Sequence, residues 1–195
     1  MRILLLGPRR VGWEEKFRAF GDELIQTEER LIGYEPWLDS IDFLISYGYR
    51  YILRPAVFER FGIKAINLHI SLLPWNRGAD PNIWSFLENT PKGVSIHVID
   101  EGLDTGPILL QEEVTMDECE TLRTSYNKLT NTIEQLFWNN WPLIRSGKII
   151  PKQQPAGGSF HYKKDLNSYL YLLSEGWDTP VRKLIGQAIN KPEGR

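Results

Sequence analysis

Apolar positions along the chain alternate between two patterns, uninterrupted short runs and runs spaced three or four residues apart. Residues 2–6 (RILLL) end abruptly at Gly7, as expected for a strand buried on both faces of a parallel sheet. Trp13, Phe17 and Phe20 then recur at spacings of four and three, which predicts a short amphipathic helix over 13–20 closed at Gly21. A weaker strand is predicted at 23–27 and a buried one at 42–47 (DFLISY), turning at Gly48. Pro55 suits the first turn of a helix running through Phe61 and stopping at Gly62. A strand at 64–69 (KAINLH) and a helix at 81–89 opened by Pro81 come next, followed by strands at 93–99 and 107–114 around a turn at 100–106. Leu122, Tyr126, Leu129, Ile133, Leu136 and Phe137 predict a long helix over 121–146, which Pro142 should kink or end early.

Strands alternating with helices predict an α/β fold with a mostly parallel sheet flanked by helices. Residues 151–159 (PKQQPAGGS) read as a loop, with short helical segments near 165–174 and 180–190. The expected division is a core over 1–150 and a C-terminal extension over 151–195. The extension is too short to bury a core of its own and is expected to pack on the first part.

Bulk composition narrows the function classes. With 42% hydrophobic and 25% charged residues, the chain is an ordinary globular one. A formal net charge of −2 supplies no basic field to hold a nucleic acid. The first apolar run is too short for a secretory leader, and no stretch is long enough to span a bilayer, so the expected setting is the cytoplasm. The single Cys119 agrees with a reducing compartment. His69, His97 and His161 show no metal-ligand spacing, so no metal is expected. The segment after the first strand, GPRRVG, is not a dinucleotide fingerprint, and no G-x-S-x-G elbow occurs.

Two segments carry candidate chemistry: NLHISLLPWNRGADPN (67–82) and GVSIHVIDEGLDTGPIL (93–109). Asn67 and His69 lie two apart on a predicted strand, so they share a face near a strand end, where open α/β sheets bind ligands. An amide and an imidazole side by side can both donate to a developing oxyanion. Asp104 lies in a glycine-bordered turn, and a carboxylate beside an imidazole favours the charged ring and can relay a proton. Asp100 and Glu101 are neighbouring alternatives that spacing does not separate from Asp104. His97 is read as structural.

Together these segments resemble the folate-dependent formyltransferase family. The resemblance rests on Asn67, His69, SLLP (71–74), Arg77-Gly78, Gly93-Val94 and above all DEGLDTGPIL (100–109), with weaker agreement from 42 to 150. It implies a Rossmann-like formyltransferase core, 10-formyltetrahydrofolate as formyl donor, and Asn67, His69 and Asp104 as the catalytic trio. In that reading Asn67 and protonated His69 stabilise the oxyanion, while Asp104 orients His69 and shuttles the proton of the incoming amine. Tyr51, Ile52 and Leu53, with Asp100 and Gly102, are the implied folate contacts.

The implied acceptor is a small amine. LPWNRGADPNIWSF (73–86) and TPKGVSIH (90–97) look most like the sugar-nucleotide N-formyltransferases, so a nucleotide-linked dideoxy amino sugar is the expected acceptor, met by Trp75, Arg77 and Asp80. The chain is more compact than that group generally is. A glycinamide ribonucleotide transformylase-like enzyme and a formyltetrahydrofolate hydrolase are the alternatives. The first normally has a Gly/Ser-rich phosphate loop where this chain reads GPRRVGWEE. The apolar 166–173 segment (LNSYLYLL) could supply a homodimer interface or pack on its own core. No nucleic-acid or membrane partner is expected.

Overall fold

The computed structural model describes residues 1–189, and all six predicted strands form in it. They are β1 (Arg2–Leu6), β2 (Glu23–Thr27), β3 (Phe43–Ser46), β4 (Ala65–His69), β6 (Gly93–Val98) and β7 (Ile108–Glu113), hydrogen-bonded in the order β2-β1-β3-β4-β6-β7. β1 pairs in parallel with both β2 and β3, and β3 with β4. The uninterrupted apolar runs have a direct cause. Ile3 to Leu6 and Phe43 to Ile45 are at most 1% exposed, so both faces of these strands are covered.

The chain divides into two compact units. The first comprises Met1–His69, Ile96–Leu109 and Asn139–Gln153; the second comprises the stretches from Ile70 to Ser95, Leu110 to Trp138 and Gln154 onward. In the first, α1 (Trp13–Ala19) buries Trp13 and Phe17. Phe17 and Phe43 both meet the ring of Trp141 edge-on, with centroids 5.2 and 5.1 Å away. The Trp141 indole N–H donates to Asp22 Oδ2 at 3.1 Å, and Asp22 Oδ1 accepts from Arg145 at 2.6 Å and from the Met1 ammonium at 2.9 Å. The Asp22 side chain has no exposed surface, and these donors are what make a buried carboxylate tolerable. A second apolar cluster in this unit gathers Leu4, Leu38, Leu44, Val57 and Phe58.

The helix from Pro55 is shorter than expected. α2 covers Pro55–Phe58 and passes into a 3-10 turn over Glu59–Lys64, broken where Gly62 takes φ 54° and ψ −128°. The long helix α4 forms over Leu122–Arg145, close to the expected 121–146, and Pro142 does not end it early. An interior proline costs about 3 kcal/mol, and here it lies in the final turn, where Trp141 and Ile144 are buried and offset that cost.

In the second unit, α3 (Pro81–Leu87) presents Trp84, Phe86 and Leu87 to a cluster with Leu122, Tyr169 and Leu184. The tail segments predicted as helical take 3-10 form over Lys163–Leu172 and Val181–Lys183, with a further turn at Gly176–Asp178. Residue 190, the end of the second prediction, lies outside the described residues. Two strands were not foreseen: β5 (Arg77–Gly78) pairs in parallel with β8 (Phe160–His161). Two-residue strands leave no periodic signal to read. Among the described residues, no helix is long and apolar enough to cross a membrane.

Candidate active site

The C-terminal end of β4 carries Asn67 and His69 on one face, and the turn after β6 brings Asp104 to them, all within the first unit. Asn67 Nδ2 donates to Asp104 Oδ1 at 3.0 Å, and Asp104 Oδ2 lies 3.6 Å from His69 Nδ1. His69 is 7% exposed and the Asp104 side chain 13% exposed. The three residues singled out by sequence therefore meet in one nearly buried group. The carboxylate lies beside the imidazole, close enough to orient the ring.

His97, read as structural, also belongs here. Its Nε2 is 3.2 Å from Asn67 Nδ2 and 3.4 Å from Asp104 Oδ1, and its ring centroid is 6.3 Å from that of His69. The available signal was positional: His97 lies on β6, next to β4 in the sheet. Of Asp100, Glu101 and Asp104, it is Asp104 whose contacts reach Asn67 and His69. Asp100 Oδ1 instead accepts from Thr105 Oγ1 at 2.7 Å and from the Gly102 amide at 3.2 Å, hydrogen bonds that shape the turn. Asp104 adopts φ 54°, a left-handed conformation that Asp tolerates better than most residues.

Close approach explains the two glycines of the turn. A Cβ on Gly102 would lie 2.0 Å from Thr105 Oγ1, and one on Gly106 would lie 1.8 Å from the carbonyl oxygen of Val98. Among the expected folate contacts, Tyr51 and Ile52 are 38% and 74% exposed, while Leu53 is half-buried against the Leu4–Leu44 cluster. Tyr51 and Ile52 thus lie exposed on the loop after β3, in the same unit as the 100–106 turn. Among the described residues, no group of three or more His, Cys, Asp or Glu side chains is arranged to hold a metal ion.

Trp75, Arg77 and Asp80, the expected acceptor contacts, lie in the second unit. Trp75 is 36% exposed. Arg77 reaches the carbonyl oxygens of Ser159 and Gly157 at 3.5 and 3.4 Å. Burial pushes the Asp80 carboxyl above its usual range, with Lys163 pulling it back. Nearby in the chain, Trp84 stacks on His161 with ring centroids 3.7 Å apart. His161 Nε2 is 3.2 Å from Glu88 Oε1, near enough for an ion pair but not aligned for a hydrogen bond. Burial raises the Glu88 carboxyl, but His161 and Ser159 outweigh it and hold it below the ordinary value. Trp84 lies within the 73–86 string singled out above, whereas Glu88 lies just beyond it.

The fold and this group define a class: residues 37–139 match the formyl transferase family, and the chain belongs to it. Particular relatives add detail. A crystal structure of the formyltransferase PseJ from Anoxybacillus kamchatkensis, in complex with UDP-4,6-dideoxy-4-formamido-L-AltNAc and tetrahydrofolate, is 59% identical. It superposes with a TM-score of 0.94 over 96% of this chain and 100% of that one. Methionyl-tRNA formyltransferase of Thermodesulfovibrio yellowstonii is 35% identical over 73% of this chain and 46% of its own length. The dTDP-4-amino-4,6-dideoxyglucose formyltransferase of Mycobacterium tuberculosis is 28% identical over 79% of this chain and 63% of its own. The chain thus spans roughly half to two thirds of these two curated relatives and the full length of PseJ.

Proposed function

We propose that this protein is an N-formyltransferase that moves a formyl group from 10-formyltetrahydrofolate to the amine of a nucleotide-linked dideoxy amino sugar. The carrying observation is the 59% identity to PseJ over that chain's whole length, because its crystal holds a formamido sugar nucleotide together with tetrahydrofolate. Those two molecules are the product pair of this reaction. By the same likeness, the acceptor is the 4-amine of a UDP-linked 4-amino-4,6-dideoxy sugar.

The residue types, and for the trio the distances, support the following roles. Asn67 and His69 hold the oxyanion that forms as the neutral amine adds to the formyl carbon. Asp104, 3.6 Å from His69 Nδ1, orients the imidazole, receives the proton shed by the amine and passes it to the folate nitrogen as that nitrogen's bond to the formyl carbon breaks. Tyr51, Ile52 and Leu53, with the 100–104 turn containing Asp100 and Gly102, border the folate. Trp75, Arg77 and Asp80 serve the acceptor. The exposed Cys119 needs no oxidising environment, and the reaction belongs in the cytoplasm. The 166–173 segment is the first place to look for a homodimer contact.

The test is a transfer assay with 10-formyltetrahydrofolate against UDP- and dTDP-linked 3-amino and 4-amino dideoxy sugars, glycinamide ribonucleotide, and buffer alone. Tetrahydrofolate release that depends on a UDP-linked 4-amino sugar supports the proposal. Release in buffer alone would make the protein a hydrolase, and release only with glycinamide ribonucleotide would reassign the acceptor.

A further inference from the structure

Two acceptor-only groups fix the hydrogens around Asn67. The Val98 carbonyl oxygen is 2.8 Å from His97 Nδ1, so that nitrogen must carry the proton. The Asp104 carboxylate is 3.0 Å from Asn67 Nδ2, so that atom must be the amide nitrogen and not the oxygen. Asn67 Nδ2 then donates its other hydrogen to His97 Nε2 at 3.2 Å, which accepts through its lone pair. His97 is accordingly the neutral Nδ1–H tautomer, 2% exposed and held between a backbone carbonyl and the Asn67 amide. A proton on Nε2 would set two donors against each other at 3.2 Å, and would have to turn to Asp104 Oδ1 at a longer 3.4 Å, away from the nearer Asn67 amide.

Both hydrogens of the Asn67 amide are therefore engaged, one by His97 and one by Asp104. The two partners are not equivalent. His97 is anchored to its own strand, whereas Asp104 lies on a turn at a left-handed backbone position. We propose that His97 is a positioning residue. Its Nε2 holds one amide hydrogen of Asn67 permanently, so that the hydrogen now on Asp104 is the one released to the formyl oxygen. The inference rests on the transfer reaction proposed above for its catalytic consequence, but the tautomer and the hydrogen bond stand apart from it.

Two replacements separate this role from simple packing. His97→Met keeps much of the volume and removes the acceptor, and His97→Gln keeps an acceptor at the reach of Nε2. His97→Met should lower kcat by about 10- to 100-fold, the scale of a misplaced oxyanion donor. KM for 10-formyltetrahydrofolate should stay within about threefold, and His97→Gln should recover most of the loss. The pH–rate limbs of the variants should match those of the parent, since His97 moves no proton. Parent-like kcat in His97→Met, or equal losses in both variants, would overturn the role. Nitrogen-15 NMR of the parent's imidazoles reads the same question without turnover and covers variants that fail to fold. His97 should show the Nδ1–H tautomer, and an Nε2–H or cationic ring at neutral pH would overturn the proposal. If the parent formylates no amine yet shows the Nδ1–H tautomer, the transfer reading has failed and the placement of Asn67 has not.

Discussion

Gly106 touches no expected substrate, yet its replacement should damage the site more than that of any other glycine in the turn. A Cβ there would lie 1.8 Å from the Val98 carbonyl oxygen, and real Cβ contacts essentially never fall below 3.0 Å, so the turn or the carbonyl must retreat by about 1.2 Å. Neither movement is innocent. The same oxygen accepts from His97 Nδ1, and the same turn holds Asp104 against Asn67 and His69. A misplacement near 1 Å can cost a reaction about 100-fold. Gly106→Ala should therefore lower kcat/KM for formyl transfer by roughly that factor, measured by tetrahydrofolate release, with circular dichroism and a thermal melt establishing that the chain is folded. Gly102→Ala is the internal comparison. Its Cβ would meet Thr105 Oγ1 at 2.0 Å, a side-chain atom that can rotate aside, so its loss should be smaller, and Thr105→Ala should relieve it. A folded Gly106→Ala enzyme within about threefold of the parent, well short of the loss expected for such a displacement, would refute the claim that this backbone contact sets the catalytic geometry.

Other outcomes follow from the same structure. Asn67→Ala should reduce kcat on the order of 100- to 1,000-fold while leaving folate binding intact, and a loss confined to KM would remove Asn67 from the oxyanion role. Trp141→Phe strips a hydrogen bond from a carboxylate with no exposed surface. It should cost about 3 kcal/mol in urea unfolding, and a cost under about 1 kcal/mol would mean that the bond contributes little net stability. Asp80 gives a pH dependence. Its folded-state pKa is raised by burial, so its contribution to stability is full below the ordinary carboxylate value and is lost as pH rises through the folded one. Asp80→Asn, which tolerates the left-handed φ of 53°, should gain melting temperature over the parent as pH rises through the acid range. A difference independent of pH would contradict the buried-carboxylate account.

The local sequence was enough for the strands and for the class of chemistry. Runs such as ILLL (3–6) and FLI (43–45) read as strands covered on both faces, because every residue in them is apolar and no exposed face is left over. Asn67 and His69 were legible as neighbours because a two-residue spacing on a strand puts both side chains on one face. The path of α4 through Pro142 was not legible, since the burial of Trp141 that offsets the proline depends on Phe17, Phe43 and Asp22, more than 90 residues away. Residue spacing alone did not separate Asp104 from Asp100, which the resemblance had to do; the physical difference lies in the turn, where Thr105 and the Gly102 amide engage one carboxylate and Asn67 the other. His97 was missed for the same reason. Its partner is 30 positions away, and only the pairing of adjacent strands brings an imidazole lone pair to an amide hydrogen. Sequence alone determines what each short segment buries and which reactive groups it carries. Tertiary structure decides which of those groups meet, because hydrogen bonds a few ångströms long are set by strand order and turn geometry that no local pattern encodes.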